Sequence, residues 1–254
     1  MDTAFREWMA ALEARHLADL RVPEVTRALR ALSSAYVERR RHTAVPAGGR
    51  HVHGALDSAG KRAAFALFYA PLHFIAITEV VRARGGNGPP PKTIVDLGCG
   101  TGAAGAAWAL ASQPSPSVIG IDRHPWAVDE ARWTYQQLGV DGRARQGDVT
   151  KPIASRRGHS VVAAYVLNEL PDDARTRVED RLLETAAQGG RVLVLEPIAR
   201  TIAPWWDALA ARAARLGGRS DEWRLPIELP PLLEKFDRAA GLNHRELTFR
   251  SLFL

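Results

Sequence analysis

Ile94-Val95-Asp96-Leu97-Gly98-Cys99-Gly100-Thr101-Gly102 is an apolar run that enters a turn built on three glycines. Glycine has no Cβ, so it adopts positive φ readily and lets backbone approach a ligand closely. The helical pattern Ala103–Ser112 follows at once. A strand that feeds a helix through such a turn is the opening unit of an open α/β sheet, and it places the turn where these sheets bind ligands. A plain tight turn is the bland alternative.

Short apolar runs and helical segments continue to alternate downstream. Val118–Asp122, Arg143–Gln146, Val161–Leu167 and Arg191–Glu196 read as strands, and Pro125–Leu138 and Asp173–Ala187 as helices. This order predicts a parallel sheet with helices on both faces. The tail reads as a helix at Pro231–Ala240 and two short strands, Asn243–Thr248 and Arg250–Leu254.

Upstream, Phe5, Trp8, Met9, Leu12, Leu17, Leu20, Val25, Leu29, Leu32 and Tyr36 recur at three- and four-residue intervals, which predicts two or three amphipathic helices. Thr43–Gly54 reads as a loop. A long apolar helix follows from about Ser58 to Arg84, with Pro71 expected to kink or divide it. Gly85-Gly86-Asn87-Gly88-Pro89-Pro90-Pro91 cannot propagate a helix. The expected organisation is a helical appendage at 1–84, a linker at 85–92 and the α/β domain at 93–254.

Composition narrows the function classes. At 46% hydrophobic and 24% charged the chain reads as an ordinary globular protein, and its apolar runs are broken by charged residues before about 20 residues, the length of a membrane span. Neither a membrane association nor a secretory leader is expected, which points to the cytoplasm. With Cys99 as the one cysteine, neither a disulfide nor a metal centre is expected. The net charge is +6, and residues 1–92 hold all of the excess, with 14 Lys/Arg against 8 Asp/Glu. A basic face such as Arg39-Arg40-Arg41-His42 with Lys61-Arg62, within residues 39–62, suits RNA or simply solvent. Since 30 of the 34 basic residues are Arg in an Ala-rich chain, genome composition also accounts for it.

The turn is ambiguous by itself, because Gly98-x-Gly100-x-x-Ala103 also satisfies a relaxed dinucleotide fingerprint. Asp96 separates the readings. An acid two residues before the first glycine repels a pyrophosphate and suits a cationic amino-acid ligand. Asp122, ending the next strand, is placed to accept from both ribose hydroxyls, or else to cap the following helix. In Gln146-Gly147-Asp148-Val149, Asp148 is placed for an adenine amino group and Val149 for the ring face; the alternative for Asp148 is a turn before Lys151-Pro152.

This series over residues 92–254 resembles the class I S-adenosylmethionine-dependent methyltransferases. The resemblance implies a Rossmann-like seven-stranded mixed sheet of order 3-2-1-4-5-7-6, with S-adenosylmethionine as cofactor. It also implies a cofactor site of Asp96, Leu97, Gly98, Cys99, Gly100, Gly102, Asp122, Arg123, Asp148, Val149 and Tyr165. More narrowly, Tyr69-Ala70-Pro71-Leu72, the segment Val162–Pro171 and Leu195-Glu196-Pro197 are similar to methyltransferase-like proteins of the mitochondrial-type small ribosomal subunit and their bacterial relatives. That similarity implies an RNA- or ribosome-linked role. The cysteine-rich segment of that family, linked to an iron–sulfur cluster, has no counterpart here.

Acceptor chemistry is expected at Tyr165-Val166-Leu167-Asn168-Glu169-Leu170-Pro171. Tyr165, Asn168 and Glu169 are the candidate catalytic residues; Asn168 as a helix cap and Glu169 as a solvated acid are the plain alternatives. His51, His53, Tyr69 and His73 are candidates for facing the substrate. Phe65, Phe68, Tyr69, His73 and Phe74 make an aromatic stripe that roofs a pocket or packs a core, and Trp205 and Trp206 either stack on a ring or cover the core. Three functions compete: a methyltransferase acting on RNA or a ribosome-linked substrate, one acting on a small molecule beneath a helical lid, and a noncatalytic cofactor-binding assembly factor. A nicotinamide oxidoreductase is disfavoured by Asp96.

Overall fold

The computed structural model describes residues 3–41, 56–84, 90–151 and 159–254. Its central feature is a seven-stranded mixed sheet of order β3-β2-β1-β4-β5-β7-β6. The strands are β1 (Thr93–Leu97), β2 (Ser117–Asp122), β3 (Gly142–Gln146), β4 (His159–Ala164), β5 (Val192–Pro197), β6 (Arg219–Pro226) and β7 (Glu246–Phe253). The first five run parallel, and β7 pairs antiparallel with β5, setting Glu196 opposite Arg250.

The helices are α1 (Thr3–His16), α2 (Val22–Arg41), α3 (Ala59–Ala64), α4 (Ala70–Arg84), α5 (Ala103–Leu110), α6 (Pro125–Gln137), α7 (Asp172–Ala187), α8 (Trp206–Ala214) and α9 (Pro231–Ala239). Two compact units result, one of Met1–Leu72 with Arg224–Thr248, the other of His73–Trp223 with Phe249–Leu254. This division differs from a break at 85–92, of which 85–89 lie outside the described residues. In the first unit α2 packs on α3 and α9, and the buried side chains include Phe5, Trp8, Leu12, Leu29, Phe68 and Phe236. In the second, Val95, Leu97, Ile121, Val161, Val192 and Val194 of the sheet pack with Val178 and Leu182 of α7 and Leu209 of α8.

Pro71 does not divide its helix. A single π turn at Phe65–Tyr69 joins α3 to α4, with the Ala70 N–H donating to the Phe65 carbonyl, and the wider turn precedes a proline that has no N–H to donate. Ala59–Arg84 is therefore one 26-residue helical run, and by length and composition it would also suit a membrane span, contrary to the expectation from its interrupting charges. Two-thirds of its most apolar window, 67%, is buried inside the fold, as a core helix requires.

The tail is corrected as well. The two expected terminal strands are one strand, β7, and the remaining strand is β6, ahead of α9. Arg-Ser-Asp-Glu-Trp-Arg-Leu-Pro carries little apolar signal because β6 is an edge strand, exposed along most of its length. The fourth strand stops at Ala164 instead of Leu167, because Tyr165 turns the chain with φ 57°.

Candidate functional site

The glycine turn is tied down from below by β2. Gly98 and Cys99 both donate to the Ile121 carbonyl, at 2.8 and 3.1 Å, and Gly102 donates to the Cys99 carbonyl at 2.7 Å. Gly98 has φ 64°, and a Cβ there would lie 2.4 Å from Cγ2 of Val166. No side chain fits between β1 and the exit of β4. Tyr135 of α6, fully buried, occupies the space beside three other glycines: added Cβ atoms at Gly102, Gly120 and Gly142 would fall 2.7, 2.7 and 2.5 Å from its side-chain atoms.

Two carboxylates close off the amides of the turn. Asp122 accepts from Gly100 N at 3.0 Å through Oδ2 and from His124 N at 2.8 Å through Oδ1. It does not cap α6 itself, since that role falls to the ring of His124, which accepts from Trp126 N. Asp96 is 1% exposed and accepts from Gly105 N, in the first turn of α5, at 2.8 Å. Burial pushes its carboxyl up to about 7, against the Gly105 hydrogen bond and with the Asp122 charge adding to the rise. Cys99 is buried beneath the turn, and burial and the two acids push its thiol well up, which removes it as a nucleophile. Leu97 is buried with it.

On the far side, Asp148 is exposed and folds onto its own loop, accepting from Thr150 N and Oγ1 at 2.8 and 2.7 Å. Those bonds hold its carboxyl below the usual range. Val149 is buried, and its carbonyl accepts from Arg181 of α7 at 2.9 Å, a contact that no motif announced. Arg123 is exposed and contributes its carbonyl to Gln146.

At the exit of β4, Tyr165 N donates to the Leu195 carbonyl at 2.8 Å, and its ring stacks on His73 with centroids 4.3 Å apart. Tyr165 is the one non-glycine residue with positive φ among those described. Such a strained conformation persists where surrounding structure fixes it, and clusters at functional sites. Burial lowers the His73 pKa to about 4, so the ring is neutral at physiological pH. Burial and the nearby Glu196 raise that of Tyr165.

Glu196, at the end of β5, is the residue that sequence reasoning missed as a site group. Its Oε1 accepts from Leu167 N at 3.0 Å and Asn168 N at 3.2 Å, and its Oε2 accepts from the Asn168 side-chain amide. Asn168 is thus a partner of Glu196 and caps no helix; α7 begins after Pro171 without a side-chain cap. Glu169 closes the short 3₁₀ turn Leu167–Glu169 and is partly exposed. A carboxylate ending an otherwise apolar strand was the available signal.

The other candidates fall elsewhere. Tyr69 belongs to the other compact unit, where its hydroxyl bonds Ser33 at 3.1 Å. His51 and His53 lie outside the described residues, as do residues 42–55 and the side chains of Arg39–Arg41. Lys61 pairs with Asp57 at 3.0 Å and Arg62 donates to the Leu56 carbonyl. Phe68 and Phe74 are core residues. Trp206 is buried against the sheet, and Trp205 lies under the Arg175 guanidinium at 5.1 Å, so both cover the core. No group of three or more His, Cys, Asp or Glu suited to a metal occurs among the described residues.

Residues 94–190 match a family described as a methyltransferase domain. An uncharacterised 37.1 kDa protein in a transposon of Streptomyces fradiae is 31% identical over 121 residues. That match takes in 47% of this chain but only 32% of the relative, so the chain spans about a third of that protein's length. Among solved structures, a proposed O-methyltransferase from Nostoc punctiforme superimposes with a TM-score of 0.53 at 15% identity, over 95% of this chain and 72% of the other. YcgJ from Bacillus subtilis gives 0.47 at 15% identity, over 70% and 96%. The likeness to the Nostoc protein is one of fold alone.

Proposed function

We propose, from the premise that the chain belongs to the class I S-adenosylmethionine-dependent methyltransferase superfamily, that it moves the sulfonium methyl of this cofactor to an acceptor held at the carboxyl ends of β4 and β5. One observation carries the cofactor assignment: the amides of Gly100 and Gly105, which a pyrophosphate would need, are already taken by Asp122 and Asp96. A dinucleotide finds those amides occupied and the Asp122 carboxylate beside them, whereas a ligand with an ammonium and no phosphate needs neither amide.

Asp122, with each oxygen holding one backbone N–H, keeps a further lone pair on each for the two ribose hydroxyls. Val149 and Ile121 offer buried apolar surface beside the adenine end. When bound, S-adenosylmethionine supplies a methyl on positively charged sulfur that departs as a neutral thioether. His73, Tyr165 and Asn168 line the acceptor side. His73 is neutral there, so it accepts or donates a hydrogen bond without placing a second cation beside the sulfonium. Displacement in line depends mainly on alignment, so a dedicated base is optional.

For the acceptor, the partly buried His73, Tyr165 and Asn168 favour a small molecule with an N–H or O–H nucleophile. RNA is the second reading, favoured by the basic excess confined to residues 1–92. Calorimetry with S-adenosylmethionine and its demethylated product, S-adenosylhomocysteine, tests the cofactor assignment, and absence of binding by both refutes it. Methyl transfer from labelled cofactor, compared between ribosomal RNA and a metabolite extract across a salt series, separates the acceptors. Binding without turnover on either supports the noncatalytic assembly role instead.

A further inference from the structure

Glu196 is 0% exposed, and all of its donors are neutral: the Leu167 and Asn168 amides and the Asn168 side chain. The groups facing it do not neutralise it. Tyr165, on the β4 exit, has no positive charge, and Glu169, on the 3₁₀ turn, adds negative charge. Arg250, directly across the ladder on β7, directs its guanidinium to Glu222 at 3.1 Å. No ion pair among the described residues includes Glu196. Burial outweighs its three hydrogen bonds, which favour the ionised form, and with the Glu169 charge raises the carboxyl to about 8, so that a cation arriving nearby shifts it toward ionisation.

Its place in the sheet makes the arriving cation a ligand. β5 is next to β4 and β4 next to β1, so the end of β5 and the glycine turn are two strand spacings apart, roughly 10 Å. A charged ligand seated between them acts on Glu196 through a protein interior of low dielectric.

We propose that Glu196 is the countercharge for the sulfonium, ionised when the cofactor carries its methyl and protonated when it does not. The inference rests on the cofactor assignment above and deepens it. The site then releases a proton when it takes up S-adenosylmethionine that it keeps when it takes up S-adenosylhomocysteine. Both ligands carry an ammonium, so any response of Asp96 is common to the two and cancels in the difference. Glu196 acts through charge and through Asn168; it is a positioning residue.

Calorimetric titration of the full chain with each ligand, in buffers of different ionisation enthalpy near pH 6.5, counts these protons directly. That pH lies below the titration of a ligand α-amino group, about 7.7–8.0. The expected result is close to one proton more released for S-adenosylmethionine than for S-adenosylhomocysteine. Affinity for the first relative to the second rises by up to about tenfold per pH unit between about pH 6 and 7. Glu196→Gln abolishes the difference and leaves S-adenosylhomocysteine bound. Equal proton counts for the two ligands in the unmodified protein overturn the inference while leaving the cofactor assignment intact, and so does a difference that survives Glu196→Gln. Failure of both ligands to bind removes the assignment itself.

Discussion

Gly98→Ala inserts a methyl group where the structure has no room for one. The new Cβ would lie 2.4 Å from Cγ2 and 2.9 Å from Cβ of Val166, at a backbone φ of 64°. The left-handed conformation costs an L-residue roughly 1–2 kcal/mol, and overpacking of this kind adds about 1–3 kcal/mol. Together they come to roughly 2–5 kcal/mol, or a fall in melting temperature of about 10 °C for a chain of this size. Relief requires β1 and the β4 exit to separate, which moves Tyr165 and Asn168. Affinity for S-adenosylmethionine should therefore drop at least about tenfold. The measurements are thermal unfolding without ligand and calorimetry with it. Gly98→Ala combined with Val166→Ala removes the contact at 2.4 Å but keeps the one with Cβ at 2.9 Å, so it should restore part of the packing share and leave the conformational cost of about 1–2 kcal/mol in full. A single variant that melts and binds like the unmodified protein refutes the reasoning, as does a double variant no better than the single one.

Asp122→Ala strips partners from the Gly100 and His124 amides; it should lower stability by about 1–3 kcal/mol and weaken cofactor binding at least tenfold, whereas Asp122→Asn, which keeps one acceptor oxygen, should lose less in denaturant melts. Asp96 titrates at about 7 in the fold against 3.8 when unfolded, so its contribution to stability is full below about pH 4 and is lost as the pH rises through 7. Ligand-free Asp96→Asn should show a flatter melting temperature across that window, and an unchanged slope would contradict the burial argument. His73 has the opposite sign: with a folded pKa of about 4 against 6.5, it withdraws stability as the pH falls below 6.5. His73→Phe, which preserves a ring against Tyr165, should remove that acid sensitivity, and His73→Ala should also increase solvent access to Tyr165 in quenching experiments. The buried Tyr135 hydroxyl has no hydrogen-bond partner among the described residues, so Tyr135→Phe should melt at or above the parent temperature, while Tyr135→Ala leaves a cavity and costs several kcal/mol, of order 3–5.

The parallel half of the sheet was legible because buried strands such as Ile94-Val95 and Val192–Leu195 are apolar on both faces and are separated by helices with strong periodicity. The antiparallel edge was less so. β6 alternates exposed and half-exposed residues, and the strand beside it, β7, follows only after α9. The glycine turn and the positions of Asp96 and Asp122 were readable because their spacing is local. What Asp96 touches was not, since its hydrogen bond to Gly105 depends on how α5 leaves the turn. Glu196 and Arg181 act at separations of 28 and 32 residues from Asn168 and Val149, and one sequence holds no record of such pairings.

Tyr135 links segments that are far apart along the chain. Its ring stands against Gly102 at the head of α5, Gly120 in β2 and Gly142 in β3. A mutation at any of these glycines is thus judged by the same aromatic ring, and the four positions form one unit of inheritance. Any Cβ arriving at 102, 120 or 142 while the tyrosine is in place meets a collision; a small residue at 135 opens 142, whereas a Cβ at 120 still meets Cys99 Sγ at 2.8 Å and 102 keeps a φ of 79°. Among descendants of this sequence, change at 142 should follow change at 135, giving an order of substitutions that a reconstructed lineage can reveal.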